Sequence, residues 1–134
     1  MRLSENDNDQ PLAIAAECLY LANLTVAPVL GFVVLLWLYR ARIAHASPLA
    51  RCHLRQALFG SVWAGVLLVL LNVIILLLGG YRSPYTIITL ILYFFSVHSA
   101  LILLGMVGFS RALAGKSFVY PLIGIRGDGK SPFQ

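Results

Sequence analysis

Charged residues are scarce in this chain. Only 11% of its 134 residues are Asp, Glu, Lys or Arg, and only five of them are acids. A soluble domain is ordinarily about 25% charged, because its surface must be solvated by water. Here 60% of the residues are hydrophobic and the mean hydropathy is +0.86. This composition excludes an ordinary soluble domain, and the length favours a single domain.

Three long segments contain no charged residue at all. They cover 22 residues (18–39), 26 residues (56–81) and 28 residues (83–110). A transmembrane helix needs about 20 mostly apolar residues. We therefore predict an all-α integral membrane protein whose transmembrane domain, 12–114, contains three transmembrane helices at about 12–40, 48–79 and 84–114. Each predicted helix starts near a proline, and Pro28 is expected to kink the first one. A polar N-terminal tail, 1–11, and a cytoplasmic C-terminal tail, 115–134, complete the chain.

Basic residues lie mainly on one side of the predicted membrane. Arg2 and Arg82 are the only two on the other side. This bias predicts that the N-terminus is outside and the C-terminus cytoplasmic, in a multi-pass protein of a bacterial cytoplasmic (inner) membrane. The net charge of +5 is then a topology signal that also favours anionic lipid headgroups, and nucleic acid is not an expected partner. The eight bases on the cytoplasmic side are Arg40, Arg42, Arg51, Arg55, Arg111, Lys116, Arg126 and Lys130.

Recognisable catalytic patterns are also missing. The sequence has no paired carboxylates, nucleophile elbow or metal-binding helix motif. Gly115-Lys116-Ser117 resembles the end of a phosphate-binding loop but lacks the earlier glycine and the preceding strand. Glu17 is the only acid within a predicted span, and it is expected near the outer end of that span. We predict that the protein is not an enzyme and needs no cofactor or metal.

His98 is the one ionisable residue near the centre of a predicted span, which makes it a candidate functional residue. It could ligate a haem or relay a proton. A second haem ligand would have to lie at a matching depth, and neither His45 nor His53 does. The alternative is a neutral His98 that hydrogen-bonds to a neighbouring helix or to a partner subunit.

Small and polar residues recur at about four-residue spacing in each predicted helix, which is typical of packing between membrane helices. A compact three-helix packing is the favoured interpretation. The predicted packing residues are Asn23, Ala27 and Gly31 in the first helix, Ser61, Gly65 and Asn72 in the second, and Ser96 and Ala100 in the third.

Two short motifs lie on the predicted cytoplasmic side. The first, SPLARCHLRQAL at 47–58, contains an HxxQA element, and the second, AGKSFVYPLI at 114–123, contains a GKxxxYP element. Together with the helices between them, they resemble small bacterial membrane proteins of the Tic20-like superfamily, a domain of unknown function. The resemblance covers about 27–123. The residues that match the family motifs are His53, Gln56, Gly115, Tyr120 and Pro121.

The resemblance implies a compact helical membrane domain, distantly related to a component of the chloroplast inner-envelope import machinery. The plastid proteins are described with four spans, whereas three are predicted here. From the residues themselves, Gly115 is suited to the left-handed turn that ends a helix. We hypothesise that His53 and Gln56 hold the tail beneath the bundle, with Tyr120 as an interfacial anchor. The alternative is that these residues are separate surface features.

These observations predict a non-catalytic membrane protein, an accessory subunit or assembly factor that packs against a larger bacterial inner-membrane complex. Its expected partners are membrane lipids and other membrane protein subunits. One alternative is an oligomeric channel or translocation component. A second alternative is a haem-bearing electron-transfer subunit that uses His98.

Overall fold

The computed structural model describes residues 9–121, and all regular structure in this range is helical. Most of the predicted N-terminal tail, Arg2 included, lies outside the described residues. So does 122–134, which contains the end of the second motif, Arg126 and Lys130. The helices are α1 (Gln10–Thr25), α2 (Pro28–Arg42), α3 (Pro48–Gly65), a π-helical segment (Val66–Leu70), α4 (Leu71–Gly79) and α5 (Pro84–Leu113).

The prediction of one helix over 12–40 is wrong, because the structure has two helices that fold back on each other. A Cβ atom at Gly31 would lie 2.7 Å from the Cα of Asn23. In a continuous helix these two residues would be about 12 Å apart along the axis. Asn23 and Gly31 therefore belong to facing helices, and the α1–α2 hairpin replaces the predicted first span.

The turn of this hairpin follows from Pro28. Proline disfavours helical geometry in the residue before it, and Ala27 has φ −141° and ψ 80°. The proline itself occupies the first turn of α2, where its missing N–H costs no hydrogen bond. Pro28 thus starts a new helix instead of kinking an existing one.

The α3–α5 region forms a second, longer hairpin. α3, the π-helical segment and α4 run continuously over Pro48–Gly79, and α5 returns over 30 residues. In the π-helical segment the N–H of Leu71 donates to the carbonyl of Val66, five residues back. Side chains bind two of the neighbouring carbonyls: Tyr93 Oη donates to Leu67 O at 2.9 Å, and Asn72 Nδ2 donates to Leu68 O at 2.6 Å.

The start of α1, the start of α3 and the end of α5 meet at one end of the molecule, here called the basic end. The backbone N–H of Ser47 donates to Asp9 Oδ2 at 2.5 Å. Gln10 Nε2 donates to the carbonyls of Ala112 and Leu113, at 3.2 and 2.7 Å. Asp9 and Ser47 were expected on opposite sides of a membrane, so this contact contradicts the placement derived from a single first span.

Over residues 9–121, two continuous helices are long and apolar enough to cross a membrane, by length and composition. They are Pro48–Gly79, with 32 residues, and Pro84–Leu113, with 30 residues. The most apolar 18-residue window has a mean hydropathy of 2.7 in the first helix and 2.3 in the second. α1 and α2 have only 16 and 15 residues and cover the half of these helices nearest the basic end. α4 contains no buried residue, and Thr86 is the only buried residue of α5 before Leu101.

The small-residue pattern located the packing faces only in part. Ser61 is buried, as are Asn23 and Gly31, but the last two face each other across the hairpin, with Ala27 at its turn. Gly65, Ser96 and Ala100 are exposed, so these three do not pack helices together, and the half-buried Asn72 bonds to Leu68 O within its own helix. The buried face of α5 is instead formed by Thr86, Leu101, Gly105, Gly108 and Ala112.

Candidate functional site

A buried polar cluster lies near the basic end of the molecule. It consists of Glu17, His53, Gln56 and Tyr120. α1 supplies Glu17, α3 supplies His53 and Gln56 one turn apart, and the segment after α5 supplies Tyr120. Each of the four side chains is at most 2% exposed, so every polar atom in the cluster needs a partner within the protein.

Glu17 is the centre of this cluster. Its Oε1 lies 2.7 Å from Nδ1 of His53, and its Oε2 accepts a short hydrogen bond from the Tyr120 hydroxyl. His53 Nε2 lies 2.9 Å from the carbonyl oxygen of Lys116. A carbonyl oxygen is an acceptor only, so His53 Nε2–H donates to Lys116 O, and a second proton lies between His53 Nδ1 and Glu17 Oε1. Glu17 and His53 therefore form a buried, hydrogen-bonded acid–base pair.

The end of α5 presents the Lys116 carbonyl to His53. The N–H of Lys116 donates to Arg111 O at 2.9 Å and the N–H of Gly115 donates to Ala112 O at 3.1 Å. This hydrogen-bond pattern is a Schellman motif, which requires a left-handed residue after the helix, and Gly115 has φ +66°. The chain therefore leaves α5 in a fixed direction towards α3.

Two further contacts hold the segment after Lys116 against α3. Gln56 Oε1 accepts from the backbone N–H of Tyr120 at 3.3 Å. The Cys52 thiol lies 3.5 Å from the carbonyl oxygen of Phe118. The Tyr120 ring packs against Tyr20 and Phe118, with centroid distances of 5.4 and 5.7 Å. The segment 116–121, here called the tail segment, is thus fixed by backbone as well as side-chain contacts.

Gly108 of α5 makes room for the Glu17 carboxylate. A Cβ atom at this position would lie 2.7 Å from Glu17 Oε2. Real Cβ atoms essentially never approach that closely, so any larger residue would displace the carboxylate from His53 and Tyr120. The close approach of α1 to α5 and the position of Glu17 therefore depend on the same glycine.

The electrostatics of the cluster keep Tyr120 neutral. Burial raises the pKa of the Tyr120 phenol well above its usual value of 10.0, and the nearby Glu17 carboxylate raises it further. The phenol consequently donates its proton to Glu17 throughout the physiological pH range. This contact keeps its geometry only while Tyr120 is protonated.

The ionisable groups of the cluster bind one another and the backbone. Both Glu17 oxygens and both His53 nitrogens have hydrogen-bond partners within the protein. Over residues 9–121, no group of three or more His, Cys, Asp or Glu side chains could hold a metal ion. The arrangement joins α1, α3 and the tail segment by buried hydrogen bonds.

The structure brings four of the five motif residues together: His53, Gln56 and Tyr120 lie in the cluster, and Gly115 lies at the end of α5 beside it. His53 and Gln56 both contact the tail segment, and Gly115 sets its direction. Pro121 is exposed beyond the cluster. The prediction of Tyr120 as an interfacial anchor is wrong, because the side chain is 1% exposed and its hydroxyl binds Glu17.

Sequence reasoning missed Glu17. A lone acid in an apolar segment is a signal in its own right, because burying a charge is costly without a partner. The prediction of one long first helix places Glu17 near the outer end of a span, on the side of the membrane opposite to His53, so it does not reveal their contact.

His98 lies apart from the cluster, beside a groove in the apolar half of the molecule. The groove has a volume of about 730 Å³ and is lined by residues from α1, α2, α3, the π-helical segment, α4 and α5. His98 and Ser61 are both among them. The structure therefore contains a closed polar cluster and, separately, an open apolar groove.

Comparison with protein-family models, curated proteins and solved structures finds no match to this chain.

Proposed function

We propose that the protein is a non-catalytic integral membrane protein, an accessory subunit or assembly factor of a larger membrane complex. The observation that carries this proposal is the exposure of its most hydrophobic helices. Only 6% of the most apolar window in each long helix is buried inside the protein. The core helix of a soluble protein would be mostly buried, so these surfaces call for lipid or another membrane polypeptide.

The proposed topology has two spans and a re-entrant hairpin. The helices Pro48–Gly79 and Pro84–Leu113 cross the membrane, and the α1–α2 hairpin enters it from the basic end and returns. Six of the seven lysines and arginines in 9–121 lie near that end, and Arg82 lies at the other. The positive-inside rule then makes the basic end cytoplasmic. Asp9 and the tail segment are both on this side.

A topology experiment tests this arrangement in the full chain. Reporters that are active only in the cytoplasm would be fused at either terminus or inserted between Tyr81 and Arg82. We expect activity from both terminal fusions and none from the insertion. Activity from only one of the two terminal fusions would place the termini on opposite sides of the membrane. The number of spans would then be odd, which would contradict the re-entrant hairpin.

A structural role for the buried polar cluster supports the non-catalytic part of the proposal. Its hydrogen bonds close the tail segment onto α3, and none of its four residues lines the groove. The two motifs that resemble Tic20-like proteins meet in this cluster. We therefore propose that the motif pair encodes a fold-closing contact in a relative of that superfamily.

A photo-crosslinking experiment tests the subunit proposal. A photoreactive residue would replace Phe95, which is 65% exposed on α5, and the control would carry it at His45, in the exposed loop before α3. In native membranes we expect a discrete adduct with a different membrane polypeptide at Phe95 but not at His45. An adduct of twice the chain mass would favour the oligomeric alternative, and adducts with lipid alone would contradict a subunit role.

A further inference from the structure

α1 runs along α5 from the basic end to the middle of that helix. Near the basic end, Gln10 Nε2 donates to the carbonyl oxygen of Ala112 at 3.2 Å. Further along, the Tyr20 hydroxyl donates to Leu101 O, also at 3.2 Å. α1 ends five residues after Tyr20, which is about 7.5 Å along the helix axis. It therefore ends near the midpoint of α5, Pro84–Leu113.

The turn between α1 and α2 lies at the same level. Pro28, the first residue of α2, lines the groove together with Gly65 and His98. These two residues lie within two positions of the midpoints of the long helices Pro48–Gly79 and Pro84–Leu113. α2 returns from this level to the basic end over 15 residues. The α1–α2 hairpin therefore covers only the half of the long helices nearest the basic end.

Within 9–121, the half of the molecule away from the basic end consists of two helices. α4 contains no buried residue, and Thr86 is the only buried residue of α5 before Leu101. Side chains in this half point away from the protein, since Leu77 is 78% exposed and Leu92 is 63% exposed. The molecule is thus four helices wide at the basic end and two helices wide at the other.

The helix lengths suit this arrangement to a bilayer. At 1.5 Å per residue, the long helices of 32 and 30 residues measure about 48 and 45 Å, whereas α1 and α2 measure about 24 and 23 Å. A bilayer is about 40–45 Å thick with its headgroup regions. The long helices are therefore long enough to cross both leaflets, and the helices of the hairpin are long enough for one.

The outer face of α2 suits immersion in that one leaflet. Val29, Leu30 and Val33 are 74, 68 and 53% exposed. Trp37 is 67% exposed and lies about 14 Å from Pro28 along the helix. Half the hydrocarbon thickness is about 15 Å, so a turn at the bilayer centre places Trp37 at the lipid–water interface, where tryptophan is enriched. In this position the hairpin displaces lipid from the cytoplasmic leaflet instead of lying on its surface.

Two additional helices in one leaflet make the protein a wedge. A helix with its side chains is about 10–12 Å across, so its cross-section is about 80–110 Å². The hairpin thus adds about 160–220 Å² to the cytoplasmic leaflet and nothing to the other. A membrane that is convex on its cytoplasmic side has an expanded cytoplasmic leaflet. Because insertion into one leaflet is sensitive to curvature, the extra area is accommodated there with the least strain on the lipid.

We propose that the protein senses membrane curvature and accumulates where the membrane bulges towards the basic end. Its partner in this role is a bilayer whose cytoplasmic leaflet is convex. The inference rests on the two spans and the re-entrant hairpin proposed above. It does not depend on a partner subunit, because it concerns the protein surrounded by lipid.

The test uses the full chain in giant phosphatidylcholine vesicles from which a narrow membrane tube is pulled outwards. The outer leaflet of such a tube is convex. An azide-bearing residue at His45, in the exposed loop at the basic end, would carry an NBD fluorophore. In the matched control protein the fluorophore is attached at Tyr81, which is 77% exposed at the other end. Dithionite does not cross the bilayer and bleaches every label on the outside of the vesicle.

The two labels then report opposite orientations. After bleaching, the label at Tyr81 shows only molecules with the basic end outside, and the label at His45 shows only those with the basic end in the lumen. Relative to a lipid dye, we expect the first population to be at least about twofold denser in the tube than in the vesicle, equivalent to about 0.4 kcal/mol. The second population should be depleted from the tube, and both effects should grow as the tube is narrowed.

Two outcomes of this measurement would overturn the proposal. Equal sorting of the two populations would show that affinity for the tube does not depend on orientation, so a wedge could not be its cause. Depletion of the population with the basic end outside would show that the protein prefers the opposite curvature.

The bleached fractions separate this result from the proposed topology. If His45 and Tyr81 lie on opposite sides of the membrane, the fractions bleached at the two positions add up to one. Complementary fractions without orientation-dependent sorting would contradict the curvature inference and leave the spans intact. Fractions that are not complementary would contradict the proposed spans, and the curvature inference with them.

Discussion

Glu17 and His53 lie 36 positions apart in the sequence, and their side chains meet at 2.7 Å with no solvent exposure. This contact joins α1 to α3, and His53 in turn binds the carbonyl of Lys116 after α5. Three parts of the chain are thus joined through two buried side chains. Because neither side chain reaches solvent, the loss of one leaves a polar atom of the other unpaired in a site that water cannot easily enter.

Substitutions at this pair should be strongly coupled. Leaving a buried hydrogen-bonding group without its partner costs about 1–3 kcal/mol, and more if the group is charged. We expect Glu17→Gln and His53→Leu each to lower the free energy of unfolding by about that amount. The double variant should lose less than the sum of the two, by about 0.5–3 kcal/mol. Denaturant titrations of the four proteins in one detergent measure this coupling. Cys18→Ser, at an exposed neighbouring position on α1, is the control and should be nearly neutral.

Alkaline pH should destabilise the protein through Tyr120. The pKa of its phenol is raised in the folded state by burial and by Glu17, whereas an unfolded tyrosine ionises near its usual value of about 10. The contribution of Tyr120 is therefore fully present below pH 10 and is lost as pH rises above it. Each pH unit above that value should lower the free energy of unfolding by up to about 1.4 kcal/mol from this residue.

The measurement for Tyr120 is the unfolding free energy between pH 9 and pH 11, compared between wild type and Tyr120→Phe. The variant should be less stable at pH 9 but should show a shallower decline with pH. Tyr81→Phe, at a tyrosine that is 77% exposed, should retain the wild-type slope. Identical slopes for wild type and Tyr120→Phe would mean that the phenol is not held in its neutral form by the fold.

The sequence predicted the long hairpin better than the short one. Charge-free segments and a proline at each start define α3–α4 and α5, because span length and helix initiation are local properties. The break at Ala27 is not predicted, because residues 18–39 are uncharged and mostly apolar and their hydrophobicity cannot distinguish one span from a folded-back pair. The same error placed Glu17 and His53 on opposite sides of the predicted membrane. Their pairing depends on which elements meet in space, although the HxxQA and GKxxxYP motifs correctly marked two of the segments involved.

The α1–α2 hairpin should be sensitive to side-chain size at Gly31. Its missing Cβ allows α2 to approach the backbone of Asn23, and overpacking of this kind costs about 1–3 kcal/mol. We expect Gly31→Val to lose at least that much stability and to increase the distance between spin labels on α1 and α2. Gly65→Ala is the matched control. It introduces no contact and replaces a helical glycine, so it should be neutral or stabilising by up to about 1 kcal/mol. An unchanged label distance in Gly31→Val would contradict the folded-back arrangement.

The π-helical segment should depend on a side chain from the neighbouring helix. In a π turn each backbone N–H donates to the carbonyl five residues back instead of four. Carbonyls in this region therefore lose their regular α-helical partners. One of them, Leu67 O, accepts a hydrogen bond from the Tyr93 hydroxyl at 2.9 Å. Removing that hydroxyl leaves the carbonyl unpaired in apolar surroundings, or lets the segment revert to regular α-helix. Tyr93→Phe should therefore cost about 1–3 kcal/mol and speed amide exchange selectively near Val66–Leu70. Tyr85→Phe, at an exposed tyrosine on the same helix, is the control. Hydrogen exchange with mass spectrometry measures the difference, and equal exchange in the two variants would show that Tyr93 does not stabilise the π-helical segment.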